Sequence, residues 1–387
     1  MHERSDPTRR LCIYVTFSKD RKVKEYVNYM LDALKKCCTK LCAVCNYPEL
    51  QGEELLHLHA DEVFYRENRG YDAGAYKDIL CTLLGCDTVY EYDELILVND
   101  SFFGPFFDLN NYFKLMNKEE CDFWGMTRHP SGEIYSIGYS FESHIQSYFL
   151  VFRSQVFKNN LFREFWEKFS YPNTFMETII NFELGLNQYL KINGFISKAL
   201  TDVWGIKLKK NENPTIYYPH ELIRDNGLPI MKKKILLISS CRFINAINTI
   251  NFLKKNNLYP VEWIWDGIDS QFYIEGYASN KNNCLNAFRQ RYKKIYLYGA
   301  GICGKNLNLY FKHRGWNLDG IVVSDVNGQT IDCIPFTDAD IDDETGIIVS
   351  VIDRKASEEI LKYIGSKCSR EQLFLISDCA AIVPKNF

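Results

Sequence analysis

Carboxylates, amides and arginines interrupt apolar runs at a few places in this sequence, and chemistry is to be sought there. The first place is Arg66-Glu67-Asn68-Arg69-Gly70-Tyr71-Asp72-Ala73-Gly74-Ala75-Tyr76. Arg66 and Arg69 carry the forked donors that grip phosphate, and Asp72 can accept from a sugar or a base. Gly70 and Gly74 allow a backbone to approach a ligand closely. A helix start capped by an acid, with surface arginines, accounts for these residues about equally well. The second place is Leu95-Ile96-Leu97-Val98-Asn99-Asp100-Ser101-Phe102-Phe103-Gly104-Pro105. Three small polar groups there follow four aliphatic ones. A carboxylate at such a strand end suits Mg²⁺ or Mn²⁺ held against a diphosphate, because hard cations take oxygen ligands. A metal is therefore expected at Asp100, with Asn99 and Ser101 beside it. The plainer alternative is an Asn/Asp turn closing a strand.

Two further segments carry weaker signals. In His144-Ile145-Gln146-Ser147-Tyr148-Phe149, His144 and Gln146 occupy positions that a buried strand normally gives to apolar residues, which suits a donor or acceptor contact, although a lone histidine is more often a satisfied structural residue than a catalyst. Glu183 is the one carboxylate on the apolar face Ile179–Leu186; partly desolvated, it could take a proton from a sugar hydroxyl. Spacing alone slightly favours a solvent-facing residue. Near the C-terminus, Ile295 to Tyr298 run into Gly299-Ala300-Gly301-Ile302-Cys303-Gly304, a strand, glycine turn and helix in the context a dinucleotide fingerprint needs. Asp325 ends the next apolar run, where an acid that binds ribose would fall. A nucleotide is expected at Gly299, Gly301, Gly304 and Asp325, with tight packing as the alternative.

Alternating elements must position these groups. Leu11–Phe17, Lys40–Asn46, Ala60–Arg66 and Glu94–Val98 read as short apolar strands, with a turn at Tyr47-Pro48. Val23–Cys38 and Ala73–Leu84 carry helical spacing between them. Strand, helix, strand at this spacing predicts a parallel, doubly wound α/β sheet whose carboxyl edge receives the polar segments. A strand pair is expected around Ser147–Phe152. Residues 234–256 read as helical, although Ile235–Ile238 would also serve as a strand. The polar stretch 267–290 reads as a linker, and a second α/β domain of about a hundred residues follows at 291–387.

Bulk properties narrow the classes. The chain has 387 residues, 46% of them apolar, and a formal net charge of −3, so no overall field invites nucleic acid. No stretch has signal-peptide character or approaches the roughly 18 uncharged apolar residues of a membrane span. A cytoplasmic protein is expected, at most touching the inner face of a membrane peripherally through Lys207–Lys210 and Lys232–Lys234. The 14 cysteines should then be reduced. Cys37, Cys38, Cys42 and Cys45 resemble a zinc set only loosely, since strand alternation separates Cys42 from Cys45.

These segments, in this order, resemble the rhamnan synthesis protein F family of glycosyltransferases. The resemblance rests on Arg66–Lys77, Tyr92–Pro105, Asp122-Phe123-Trp124-Gly125-Met126-Thr127, His144–Phe149, Phe182-Glu183-Leu184-Gly185 and Leu228-Pro229-Ile230-Met231-Lys232, and covers about residues 11–266. It implies a GT-A-like doubly wound mixed sheet at 11–266, followed after the linker by a small Rossmann-like domain. It implies transfer of a sugar, plausibly rhamnose, with inversion, from dTDP-rhamnose or a UDP-sugar onto a polysaccharide or lipid-linked glycan. Under it Glu183 becomes the best candidate for the general base and Asp122 the second. Arg66, Asn68, Arg69, Gly70, Asp72, Asn99, Asp100, Ser101, His144, Gln146 and Lys232 become donor contacts, with Phe102, Phe103, Trp124 and Tyr148 as an aromatic wall. Only one carboxylate stands where GT-A enzymes keep two. The rival expectations are an NAD-dependent oxidoreductase or epimerase working from the C-terminal glycines, and a nucleotide-sugar-binding module without catalysis.

Overall fold

The computed structural model describes residues 8–18, 21–47, 51–272 and 285–379. Pro48 of the expected turn and the middle of the expected linker, 273–284, lie outside them. The chain divides into two compact units: residues up to Lys232 together with Phe252–Tyr259, and Lys233–Asn251 together with Pro260 onward.

In the first unit the strands are β1 (Arg10–Thr16), β2 (Lys40–Cys45), β3 (Glu62–Tyr65), β4 (Glu94–Asn99), β5 (Phe102–Phe103), β6 (Phe123–Gly125), β7 (Arg128–His129), β8 (Gly132–Ile134), β9 (Tyr139–Phe141), β10 (His144–Ile145), β11 (Phe149–Arg153), β12 (Ser197–Ala199) and β13 (Met231–Lys232). Seven of them form one sheet in the order β12-β6-β11-β4-β1-β2-β3. β4, β1, β2 and β3 run parallel, as the apolar runs predict. β11 lies antiparallel between β4 and β6, which makes the sheet mixed. β1, β2 and β4 are nearly continuous apolar runs, as strands buried on both faces are, while the edge strand β3 is half-exposed. Tyr76, Phe123, Phe152, Trp166 and Phe182 fill the larger core on one face. Trp124, turned to the other face, packs on Phe113 and Phe149.

The chain leaves β1 toward β2 on one side and reaches β4 on the other. The carboxyl ends of β1 and β4 thus flank the crevice where open α/β sheets take ligands. Two helices open beside this edge, Tyr71–Asp78 and Phe175–Thr178, and each widens into a π-helical turn, Ile79–Leu83 and Ile179–Leu184. Periodicity predicted the first of these helices, over Ala73–Leu84, but not the widening. π turns concentrate at functional sites, and the second one holds Glu183.

The second unit holds β14 (Lys294–Tyr298), β15 (Gly320–Val323), β16 (Ile334–Pro335), β17 (Thr345–Val349) and β18 (Leu373–Leu375), all parallel, in the order β16-β15-β14-β17-β18. Numbered within the unit this order is 3-2-1-4-5, the Rossmann arrangement. The unit begins well before residue 291. Asn306 Nδ2 donates to the carbonyls of Ile238 and Ser240, Gln271 Nε2 donates to the Leu236 carbonyl, and Trp265 packs on Tyr310. These long-range bonds draw Lys233–Asn251 and the helix Val261–Asp269 to the later residues, where local patterning attached them to the earlier ones. Ile235 falls in a short 3₁₀ turn, Lys233–Leu236, rather than a strand, and Phe243–Lys255 is helical.

Candidate functional site

β1, β2, β3 and β4 each end an apolar run with a polar residue, and these residues meet along the carboxyl edge. Thr16 follows β1's apolar stretch, Asn46 follows β2, Arg66 follows β3 and Asn99 closes β4. Asp100 Oδ2 accepts from the Thr16 hydroxyl at 2.9 Å and the Phe17 amide at 3.3 Å. That carboxylate therefore latches the segment leaving β1 while standing in the crevice between β1 and β4.

A hydrogen-bonded relay runs from Asp100's neighbours to Asp72 and Lys232. Lys232 Nζ donates to Ser101 Oγ at 2.6 Å, Ser101 Oγ donates to Asn99 Oδ1 at 2.6 Å, and Asn99 Nδ2 donates to Asp72 Oδ2 at 2.6 Å. The other Asp72 oxygen accepts from the Ala73 amide at 2.9 Å. Burial pushes the Asp72 carboxyl above the usual range; the bonds from Asn99 and Ala73 oppose that push. Lys232 reaches the relay because β13 pairs antiparallel with β5, Lys232 opposite Phe102. Gly104 makes the pairing possible: it has φ 143°, and a Cβ there would lie 2.4 Å from the Pro229 carbonyl oxygen. The ammonium also sits 4.3 Å above the Tyr148 ring, which Phe102 meets edge-on. Lys232 thus faces the site and is no part of a membrane-facing lysine patch. Lys207, Lys209 and Lys210 stay exposed.

Glu183 closes the other side. Its Oε2 accepts from the Ser147 amide at 2.8 Å and the Ser147 hydroxyl at 2.6 Å, and its Oε1 faces His144 Nε2 at 3.4 Å. Burial alone would raise this carboxyl. The His144 contact and the two Ser147 bonds outweigh it and hold the group at about 2. His144 Nδ1 donates to the Glu142 carbonyl, and its ring stacks on His129 at 5.2 Å. Burial pushes His129 below the usual imidazole range. The Thr127 hydroxyl donates to Gln146 Oε1 and meets the Tyr148 hydroxyl, so Gln146 is held inside the wall.

Several expected contacts are taken up by the chain itself. Arg66 is spent on Asp78, on Asn46 Oδ1 and on the Arg69 carbonyl, so it builds the loop. Arg69 lies over the Tyr171 ring at 4.3 Å, and Asn68 Oδ1 accepts from Asn46. Gly70 takes a left-handed conformation at φ 75°, and a Cβ on Gly74 would stand 2.2 Å from the Arg69 carbonyl oxygen. Chain packing therefore demands both glycines. Asp122 sits at the opposite edge: it pairs with Arg153, while Tyr148 pairs with Asn99. Five residues of strand between Tyr148 and Arg153 put it roughly 16 Å away. Its carboxylate accepts from the Ile196 amide and Gln155, which fastens β12. Trp124, buried against Phe113 and Phe149, leaves the aromatic wall to Phe102 and Tyr148. Phe103 packs instead against Tyr26.

In the second unit, a Cβ on Gly304 would lie 2.0 Å from the Gly299 carbonyl oxygen, and one on Gly299 would lie 2.8 Å from Ser350 Oγ. Gly301 alone of the three has open space before it. Asp325 accepts from Asn327 and closes its own turn. Burial raises the thiols of Cys42 and Cys45 to about 12 and about 11. Among the described residues no three His, Cys, Asp or Glu side chains gather so as to hold a metal. No helix among them is long and apolar enough to cross a membrane.

Residues 42–293 match the sequence model of rhamnan synthesis protein F, well over half of the chain. The chain belongs to the rhamnan synthesis protein F family. The relay, Glu183 and the His144 pair all lie within the part that carries the family match. Similar proteins include the uncharacterized protein y4gN of Sinorhizobium fredii, 27% identical over 34% of this chain and 33% of its own length. Virulence protein VirA of Vibrio anguillarum is 30% identical over 38% of this chain and 44% of its own. The chain thus spans less than half the length of the curated relatives it matches. Two solved structures are distantly similar. Core-mannan synthase A of Aspergillus fumigatus, in its Mn/GDP form, has 10% identity and a TM-score of 0.22 over 43% of this chain and 65% of its own. The glycosyltransferase GlyE of Streptococcus pneumoniae has 12% identity and a TM-score of 0.32 over 94% and 93%.

Sequence inspection missed Thr16 and Asn46. Both carried the signal that exposed Asn99, a polar residue ending an apolar strand.

Proposed function

We propose that the chain is a glycosyltransferase that moves a sugar from a nucleotide donor to a glycan. The observation that supports this best is the relay Asp72–Asn99–Ser101–Lys232, placed beside Asp100 at the crevice between β1 and β4 and closed by Glu183. A cation and carboxylates at a sheet's carboxyl edge suit a nucleoside diphosphate with a sugar attached. The Lys232 ammonium offsets diphosphate charge, and Asp72 and Asn99 orient the sugar hydroxyls. The acceptor oxygen bonds to the anomeric carbon as the bond from that carbon to the diphosphate oxygen breaks. Its proton passes to Glu183 Oε1, the oxygen that Ser147 leaves open. Attack opposite the leaving group inverts the anomeric centre. The donor is dTDP-rhamnose or a UDP-sugar, and the acceptor a polysaccharide or lipid-linked glycan at the inner membrane face.

Asp100 would be this chain's ligand to Mg²⁺ or Mn²⁺. A donor set this small fits such an ion only when phosphate oxygens complete its shell, and the ion would then screen the diphosphate. The glycine turn at Gly299–Gly304 in the second unit would take a nucleotide of its own, with Gly301 as the position open to it.

The test is a thermal-shift and transfer assay with dTDP- and UDP-sugars, with and without Mn²⁺. One native donor should raise the melting temperature, and Asp100→Ala should abolish that rise. If no nucleotide sugar binds the intact chain, the reading fails.

A further inference from the structure

Beside His144 the first unit holds a pocket of about 410 Å³, between the hairpin β8–β9 and the helix Gly185–Ile192. We propose that this pocket seats the neutral end of the acceptor, a glycan of about two sugar rings at that volume. The inference rests on the glycosyltransferase reading and adds to it where the acceptor lies and what chemistry it has.

Three features carry it. Tyr139, Phe141 and Phe195 offer rings for the C–H faces of sugars, while Gln188, Ser140 and Ser143 offer donors and acceptors for their hydroxyls. The charges of the wall are compensated within it. Arg128 stands 2.8 Å from Asp202 and Lys191 2.5 Å from Glu142. A diphosphate needs positive charge, and these two cationic side chains already face carboxylates, so a neutral ligand suits this wall and a nucleotide suits Lys232. Finally, His144 lines the pocket and touches Glu183, so the pocket ends one side chain from the group that receives the acceptor's proton.

Saturation-transfer NMR of a neutral rhamnose disaccharide with the full chain, without nucleotide, tests the proposal. The disaccharide should take up saturation. Gln188→Trp, which fills the pocket from an exposed position, should weaken its binding at least tenfold. Gln188→Ala, a milder change, should weaken it several-fold, with melting temperatures checking that both variants fold. Affinity for dTDP should stay within twofold in each. Equal binding of the disaccharide by wild type and both variants overturns the assignment, as does no binding by any of them. A sugar 1-phosphate that binds this pocket more tightly than the disaccharide overturns its neutral character. Failure of dTDP and UDP alike to bind the wild type would instead sink the transferase reading, and is read separately from the disaccharide signal.

Discussion

At the scale of the residue, the two half-buried carboxylates of the edge, Asp72 and Glu183, are tuned in opposite directions by their surroundings. Glu183 is held at about 2, against an ordinary 4.5, by His144 and Ser147. A depressed carboxyl contributes stability that is complete above its unfolded value and lost as pH falls through its folded one. Glu183→Gln should therefore cost about 1–3 kcal/mol near neutral pH, and the gap to wild type should close between pH 4.5 and 2. Urea titrations across that range measure it; a gap independent of pH would refute the charge pairing. The same contact sets base strength. Removing His144 as His144→Gln should move the acid limb of the activity profile upward, toward the ordinary carboxyl value. Asp72 is pushed the other way, by burial, so its ionised form costs stability as pH rises from its unfolded value of 3.8 through the raised one. Asp72→Asn is expected to stay within about 1 kcal/mol of wild type at pH 7 while turnover is lost. A much larger loss of stability would make Asp72 a structural residue. Glu183 and Asp72 were both legible in the sequence as carboxylates among apolar residues. The sign of each shift was not, because it depends on donors brought from other elements.

At the scale of the element, strand ends and helix starts explain why the polar segments converge. A parallel sheet sends every strand's carboxyl end to one edge, so the runs leading to Arg66 and Asn99 foretold a common site, which Thr16 and Asn46 join in the structure. The family resemblance implied a mixed sheet, but local pattern did not show where the antiparallel strand β11 inserts. It reverses direction in the sheet, delivering Ser147 and Tyr148 to the site and leaving Asp122 at the far edge. The helix Tyr71–Asp78 begins against its own loop, with Gly74 beneath the Arg69 carbonyl. Gly74→Ala should cost about 2–4 kcal/mol, because the clash is with backbone that cannot swing aside. Thermal or urea unfolding checks this, with Gly301→Ala as the nearly neutral control, since no atom lies within 4 Å of a Cβ built there. A nearly neutral Gly74→Ala would return that glycine to the ligand-contact role its spacing first suggested.

At the scale of the whole molecule, the two large sheets of the described residues each end in a carboxyl edge that would offer a nucleotide a crevice. The first unit brings acids and a lysine to that edge; the second brings one open glycine. Binding of dTDP-sugar should therefore vanish in Asp100→Ala and survive in Gly301→Asp, measured by calorimetry on the full chain. The reverse result would move the donor to the second unit. Local pattern sufficed for the first four strands and the helices between them, the doubly wound first sheet, the strand-glycine-helix start of the second, and the polar segments at issue. Those features depend on neighbours in sequence: alternation, helical spacing and the turn residues between them. Other decisions belonged to the tertiary structure alone. Arg66 became a loop brace rather than a phosphate ligand, Asp122 fell at the wrong edge, Lys232 turned inward, and residues 233–251 joined the later unit. Each of these follows from partners far away in the chain, through pairing register or long-range hydrogen bonds, and no local spacing encodes which partner will be met.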